Sequence, residues 1–136
     1  MSGRSYFLTP GAVDDIREIG DWSLERWGKE KTLKYLSDLH HGLEYLAANF
    51  ETFKNNKIRD ELSGGSGLLL YPINKHYIAY IPIGEKTIAV AAVIRQGSDI
   101  PSILQKGGLA IHRDLQDISD RIARGLIIPK KREIVL

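Results

Sequence analysis

Hydrophobic residues in the first fifty positions recur every three or four residues, the spacing that places side chains on one face of a helix. One set comprises Ala12, Ile16, Ile19, Ser23 and Trp27, and a second comprises Leu36, Leu39, Leu43, Leu46 and Phe50. Thr9 suits the N-cap of the first helix and Pro10 its first position, where a missing N–H costs nothing. Gly28 lies between the two sets and favours a break. We therefore predict an antiparallel helical hairpin with Trp22 and Trp27 in its core.

After a polar segment that ends in a Gly/Ser-rich connector at 63–67, the pattern changes to short apolar runs separated by polar turns. Two runs lie within residues 67–80, and a third covers 87–94. They predict a three-stranded antiparallel meander, and the apolar run at 6–8 predicts an additional N-terminal strand. Alternation along the last strand predicts one face formed by Ile88, Val90, Ala92 and Ile94, and an opposite face formed by Ala89, Ala91 and Val93. Both faces of this sheet are therefore apolar, and each needs a cover.

A third helical pattern near the C-terminus can supply the second cover. Its apolar residues are Ile111, Leu115, Ile118 and Ile122, and Gly125 closes it. We expect this helix to cover the free sheet face within the chain, or to swap onto a second copy. The tail after it carries the basic run Lys130-Lys131-Arg132 between two short apolar patches, which could pair as edge strands or dock on a partner. We predict a domain at 1–105 and a helical extension at 106–136 that packs on it.

Composition limits the classes of function. The 136 residues suffice for one domain, and 43% hydrophobic with 26% charged residues is ordinary for a globular protein. The absence of cysteine excludes disulfides and thiolate metal sites and is compatible with the cytoplasm, where we expect the protein to act. No apolar stretch approaches the length of a membrane span, and a net charge of +2 is too small to argue for nucleic acid binding.

Helices that precede a small antiparallel sheet indicate an α+β domain with the helices on one sheet face. Within that frame, the order of several short segments resembles the ParE branch of the ParE/RelE toxin superfamily. The opening Leu8-Thr9-Pro10 is followed by Ala12, Asp15 and Ile16. The further matching pieces are Glu25-Arg26-Trp27-Gly28, Tyr35-Leu36, Leu46, Asn49, Gly67-Leu68, Tyr71-Pro72, His76, Ile78, Tyr80, Val93-Ile94 and Asp99-Ile100-Pro101.

This resemblance covers roughly residues 5 to 104 and implies a toxin of a type II toxin–antitoxin pair, silenced by an antitoxin that wraps around it. ParE-like members poison DNA gyrase, whereas RelE-like members cut messenger RNA in the ribosome. The chain departs from the ParE pattern at three positions: Leu69 and Ala92 stand where arginine is usual, and Arg95 where histidine is common. It also continues about thirty residues beyond the usual end.

Metal-free RNA cleavage needs a general base, a proton donor and cations near the phosphate. The candidate residues are Lys57, Arg59, His76, Arg95 and Lys106. No tyrosine follows Tyr80, although RelE-like nucleases use one near the chain end. We therefore favour binding over catalysis, with His76 as a core or partner-facing residue and Arg95 as a partner contact or a solvated charge.

Other chemistry has weaker support in the sequence. His40 and His41 are adjacent on a helix and point about 100° apart, so they cannot share a metal ion as residues four apart could. Asp14 and Asp15 are interpreted as charges that favour the N-terminus of the first helix. We predict neither a metal nor a cofactor.

The sequence and the resemblance together predict a toxin that acts by binding, with DNA gyrase as target and a cognate antitoxin as partner. The residues expected to contact partners are Leu69, Tyr71, His76, Tyr80, Arg95 and Asp99. Two alternatives stay open, namely a RelE-like ribosome-dependent mRNA endoribonuclease and a non-toxic protein-binding module of the same fold. The assembly could be a homodimer or a toxin–antitoxin hetero-oligomer.

Overall fold

The computed structural model describes residues 5–53, 68–84 and 87–125, which form four strands and four helices. In chain order these are β1 (Ser5–Leu8), α1 (Pro10–Ala48), α2 (Phe50–Phe53), β2 (Leu69–Ile73), β3 (His76–Ile83), β4 (Thr87–Arg95), α3 (Ile100–Lys106) and α4 (Gly108–Ala123). The connector at 54–67 and the tail at 126–136 lie outside the described residues, and so do the predictions that fall on them.

Helix α1 consists of two helical segments, residues 10–27 and 29–48, that meet at Gly28. Its N-cap is Thr9, whose hydroxyl accepts a hydrogen bond from the Ala12 N–H at 3.1 Å, and Pro10 occupies the first turn. Gly28 has φ 83° and ψ 176°, a conformation that is open almost only to glycine. After the break, the Thr32 hydroxyl donates to the Gly28 carbonyl at 2.8 Å and helps to start the second segment. The predicted helical hairpin is confirmed.

The four strands form one sheet in the order β1-β4-β3-β2. Strands β2, β3 and β4 pair antiparallel, as predicted, while β1 joins the edge parallel to β4. The sheet is therefore mixed and has one strand more than the meander. At the tight turn between β2 and β3, Asn74 takes the left-handed conformation with φ 52°, which asparagine tolerates better than most residues.

A β-bulge in β4 changes which residues share a face. Ala79 of β3 is opposite Ala92, but the next residue, Tyr80, is opposite Val90, which leaves Ala91 as an extra residue. The alternation predicted for β4 is therefore wrong, because the inserted residue shifts its phase. Residues Ile88, Val90 and Val93 pack into the core beneath α1, whereas Ala91, Ala92 and Ile94 pack on the other side of the sheet.

Each sheet face has a helical cover. The regularly spaced leucines of the second α1 segment, Leu36, Leu39, Leu43 and Leu46, are all buried against the first face. The second face packs on Ile100 and Leu104 of α3 and on Ile111 and Leu115 of α4. The C-terminal helix thus covers the sheet within its own chain. Helix α3 was not predicted, and its N-cap is Asp99, whose carboxylate accepts from the Ser102 N–H at 3.3 Å.

Among the described residues, no helix has the length and apolar character that a membrane crossing requires.

Candidate functional site

The tip of the helical hairpin extends past the end of the sheet. Every residue from 24 to 31 is exposed, while residues on either side of this range are buried against the sheet. Beneath the tip lies a cavity of about 300 Å³, which we call the hairpin cleft. It is lined by Asp15, Glu18, Ile19, Trp22, Ser23, Trp27, Tyr35, Lys75, His76, Val93 and Arg95.

Both tryptophans of the chain line this cleft. Trp22 is 38% exposed and Trp27 is 41% exposed, so their predicted place in the hairpin core is wrong. Trp27 lies within the exposed run 24–31, and Trp22 lies next to that run, where its ring meets the exposed Arg95 at the end of β4 and not an apolar side chain of the core. Their rings meet edge to face with centroids 5.2 Å apart, an arrangement that aromatic pairs favour.

Asp15 connects α1 to the edge of the sheet at the inner end of the cleft. Strand β1 pairs with β4 only as far as Val90, so the next residues of β4 lack a strand on that side. Asp15 supplies an acceptor there, because its Oδ2 accepts from the Val93 N–H at 2.9 Å. Burial raises the pKa of Asp15 from its ordinary 3.8 to about 6, against the lowering effect of the Val93 N–H. The nearby carboxylates of Glu18 and Asp14 raise this pKa further.

A hydrogen-bonded pair of side chains in the cleft joins α1 to β3. The hydroxyl of Tyr35, on the second α1 segment, is hydrogen-bonded to Nδ1 of His76 at the start of β3. Arg95 is directly opposite His76 across the β3–β4 pair. Burial lowers the pKa of His76 and raises that of Tyr35, and the Arg95 charge lowers both. His76 therefore favours its neutral form, in which one ring nitrogen accepts and the other donates.

The positively charged guanidinium of Arg95 lies over an aromatic ring of the cleft. Its guanidinium lies 5.4 Å from the centroid of the Trp22 ring, and Arg26 lies 4.6 Å from the same ring. Lys75 lies beside it in the turn before β3, where its carbonyl accepts from the Gln96 N–H at 2.8 Å. Within the described part of the chain, Arg95 forms no ion pair with a carboxylate.

The cleft therefore combines charges of both signs with an aromatic wall. Carboxylates of Asp15 and Glu18 lie on the first α1 segment, and the cations of Lys75 and Arg95 lie at the strand ends. Such a site can hold a small molecule or a side chain of a partner, and the His76–Tyr35 pair can exchange a proton with what it holds.

The predicted site residues are distributed unevenly. His76 and Arg95 come together in the cleft, whereas Leu69 and Tyr71 lie on the edge strand β2 and pack partly against the first core. Tyr80 is only 1% exposed and belongs to that core, so its predicted contact with a partner does not fit its position.

The remaining predicted residues lie elsewhere. Asp99 and Lys106 are exposed, at opposite ends of α3. Lys57 and Arg59 fall outside the described residues. The two adjacent histidines have different surroundings. His40 Nδ1 is hydrogen-bonded to the Tyr6 hydroxyl at 2.9 Å, while His41 is exposed.

Sequence reasoning missed the contributions of Asp15, Glu18 and Tyr35 to the cleft. One signal was present: Asp15, Glu18 and Trp22 are spaced 3 and 4 apart, which places them on one helix face next to the apolar face.

Comparison with known proteins gives a consistent result. The model of the family described as ParE toxin of type II toxin-antitoxin system, parDE, matches residues 6–100. Toxin ParE1 of Mycobacterium tuberculosis is 34% identical over 100 residues, which cover 74% of this chain and 96% of that protein. Toxin ParE of Escherichia coli is 27% identical over 96 residues, covering 71% of this chain and 88% of that protein.

A solved structure resembles the fold. It is that of a chromosomal ParDE TA system from P. aeruginosa, and it superposes with a TM-score of 0.55 at 19% identity, covering 68% of this chain and 95% of the other. The match to the family model ends at residue 100, where α3 begins, so helix α4 lies beyond it.

Proposed function

The chain belongs to the ParE toxin family of type II toxin–antitoxin systems, and we propose that it is a toxin that inhibits DNA gyrase and is neutralised by a cognate antitoxin. The observation that carries this proposal is the continuous match over residues 6–100, which includes the hairpin and the whole sheet. Two of the matching relatives, from different bacteria, are named as ParE toxins. The similar solved structure comes from a ParDE toxin–antitoxin system, which supports an antitoxin as the partner.

An antitoxin needs an apolar surface on which to dock, and among the described residues both faces of the sheet are covered. Helices α3 and α4 cover its second face, and α1 covers the first. A groove between the two α1 segments is open instead, with a volume of about 400 Å³. It contains Gly20, Leu24, Leu33 and Leu36, and Leu24 and Leu33 are each more than half exposed. We propose that an amphipathic antitoxin helix lays its apolar face along this groove.

Arg17, Asp21 and Lys29 surround the apolar strip of the groove. A polar rim around an apolar centre is the usual anatomy of a protein interface, and its charges favour a partner helix that carries both acidic and basic residues.

The toxin function is tested by expression. We expect growth arrest when the gene is induced in bacteria, and relief when the adjacent gene is expressed with it. Purified protein should inhibit supercoiling by gyrase and accumulate cleaved DNA. Normal growth together with undisturbed supercoiling would support the non-toxic binding module instead.

The groove is tested by two matched substitutions. Leu33→Ser should weaken antitoxin binding about tenfold or more, because it removes apolar area from the centre of the interface. Ile103→Ser is the control, since Ile103 is 43% exposed on α3 and lies away from the groove. Equal loss for both variants would argue against the groove as the docking site.

A specific observation keeps a ribosome-dependent endoribonuclease as the second candidate. Two predicted nuclease residues, His76 and Arg95, converge with Tyr35 in the hairpin cleft, and His76 favours its neutral, basic form. A neutral imidazole beside a guanidinium could take a proton from a 2′-hydroxyl and stabilise a phosphorane. Cleavage of ribosome-bound mRNA that is lost in His76→Ala, with gyrase unaffected, would favour this candidate over the first.

A further inference from the structure

We propose that the hairpin cleft is a binding site for a purine mononucleotide, with guanine preferred as the base. The proposal stands apart from the toxin's target, because it rests on the chemistry of the cleft and not on family membership. Three features carry it: an exposed aromatic wall, a cation that forms no ion pair within the described residues, and a carboxylate in the same lining.

The aromatic wall is suited to a planar ligand. Trp22 and Trp27 expose about two fifths of their surface at one place, although α1 offers buried positions a few residues away. Tyr35 extends the same surface from the second segment. Bases bind such surfaces by stacking, since every base has an apolar π-face. The Trp22 ring already carries the Arg26 and Arg95 guanidinium groups, so Trp27 is the tryptophan on which a base would stack. Single exposed aromatic residues are common on protein surfaces. Here both tryptophans of the chain line one cavity and form a continuous aromatic patch.

The strand end of the cleft is suited to a phosphate. Arg95 is exposed, is held over the Trp22 ring, and lacks an ion-pair partner among the described residues. Lys75 lies in the same lining and is likewise exposed. A guanidinium and an ammonium near one another bind a phosphate by charge-assisted hydrogen bonds, which are stronger than those between neutral groups.

The helix end is suited to the edge of a base. Glu18 is exposed and forms no ion pair within the described ranges. Asp15 lies one turn before Glu18 and already accepts from the Val93 N–H through one carboxylate oxygen. Only its other oxygen can accept from a ligand. Guanine presents two adjacent donors, N1–H and the N2 amino group, to which a carboxylate can accept in bidentate fashion. Adenine lacks that pair of donors, so the site should bind guanine more tightly than adenine.

Charge also argues against a longer nucleic acid at this site, and so against the endoribonuclease candidate. Two carboxylates face the same cavity as the two cations, and a polyanion that crossed the cleft would meet them. A mononucleotide places its phosphate at one end only. The cavity of about 300 Å³ lies at the lower limit of small-molecule sites and accommodates one base with its sugar.

The full-length protein can be titrated with guanosine monophosphate by calorimetry. Tryptophan fluorescence is the second readout, because both tryptophans line the cleft. We expect a dissociation constant of about 100 µM, as befits a small open site. Adenosine monophosphate should bind about tenfold more weakly, and guanosine about tenfold more weakly for lack of the phosphate. Inorganic phosphate alone should leave the fluorescence unchanged.

Substitutions separate the two ends of the site. Arg95→Gln should reduce the affinity for the nucleotide to that for guanosine, while Glu18→Gln should abolish the preference for guanine over adenine. Arg113→Gln is the matched control, since Arg113 is exposed on α4, does not line the cleft, and should not affect binding.

Three results would overturn the proposal. These are no heat and no quenching with guanosine monophosphate, equal binding by wild type and Arg95→Gln, and tighter binding of free arginine than of the nucleotide. The last would identify the cleft as a site for a partner's cationic side chain. None of these results bears on whether the protein arrests growth or inhibits gyrase.

Discussion

The carboxylate of Asp15 accepts a hydrogen bond from the backbone N–H of Val93 at 2.9 Å, across 78 residues of sequence. It takes the place of a strand, because β1 stops pairing at Val90 and the chain turns into α1. Thr9 completes the same edge: its N–H donates to the Val90 carbonyl at 3.1 Å and its hydroxyl to the Ala91 carbonyl at 3.2 Å. The first turns of α1 thus continue the sheet edge by side-chain contacts, and the hairpin is fixed above the sheet end that forms the cleft.

Asp15→Ala should destabilise the protein by about 1–3 kcal/mol, because it leaves the Val93 N–H without its acceptor. Asp15→Asn should cost much less, since the amide oxygen can accept the same bond and no charge is then buried. Urea unfolding at neutral pH measures both free energies of unfolding. Equal values for the two variants would show that the hydrogen bond contributes nothing.

Asp15 should also make stability depend on pH in an unusual direction. Its pKa is about 6 in the folded protein and 3.8 ordinarily, so the folded state holds the proton more tightly. The stabilisation is therefore complete below pH 3.8 and is lost as the pH rises through about 6. We expect the unfolding free energy of wild type, relative to that of Asp15→Asn, to increase as the pH falls from about 7 to about 4. A constant difference across this range would contradict the shift.

Gly28→Ala should destabilise the hairpin by about 1–3 kcal/mol, because residue 28 has φ 83° and ψ 176°, where a side chain is strained. No atom lies within 4 Å of a Cβ built there, so the cost comes from the backbone alone. Gly108→Ala is the control: it also has open space around the added Cβ, it has no positive φ, and it begins α4. Thermal unfolding should show a clear loss for the first variant and little change for the second.

Gly42→Ala tests close packing between α1 and β2. A Cβ at residue 42 would lie 2.6 Å from Cδ1 of Ile73, which is too close for two carbon atoms. We expect a loss of about 1–3 kcal/mol from overpacking. Ile73→Ala in the same chain should recover part of it, because the second substitution removes the clashing atoms. Strict additivity of the two single losses in a double-mutant cycle would mean that the residues do not compete for space.

Substitution of two isoleucines and removal of α4 test how the C-terminal helices contribute to stability and cover the sheet. Ile118 is 8% exposed on α4, while Ile103 is 43% exposed on α3. Ile118→Ser should cost about 2 kcal/mol or more because it places a hydroxyl at a buried apolar position, whereas Ile103→Ser should be close to neutral. Removal of residues 106–136 should reduce solubility, since the second sheet face then loses Ile111 and Leu115 from its cover and keeps only α3. Unchanged solubility of that shortened chain would show that α4 is dispensable.

Much of the fold follows from local patterns. The spacing of Leu36, Leu39, Leu43 and Leu46 predicted a helix face, and all four are buried. Thr9 and Gly28 predicted the start and the break of α1 because capping and positive φ depend on the residue itself. The apolar runs around Asn74 predicted the β2–β3 hairpin in the same way. Such features need no knowledge of distant residues.

The candidate site followed from the sequence only in part. His76 and Arg95 were identified as candidates, but their meeting depends on the register of β3 against β4, which pairs them. The bulge at Ala91 shows why register is hard to predict: one unpaired residue reverses the faces of those that follow, and alternation in the sequence does not reveal it.

Local sequence therefore determined where the four strands, the two α1 segments and α4 form, where α1 breaks, and which family the chain resembles. The tertiary structure decided the rest: which face each β4 residue occupies, that Tyr80 is buried, and that both tryptophans are exposed. The physical reason is that periodicity reports which residues share a face of an element, whereas burial depends on whether another element lies against that face. At the hairpin tip α1 continues beyond the sheet, so apolar residues at regular helical spacing line an open cleft instead of a core.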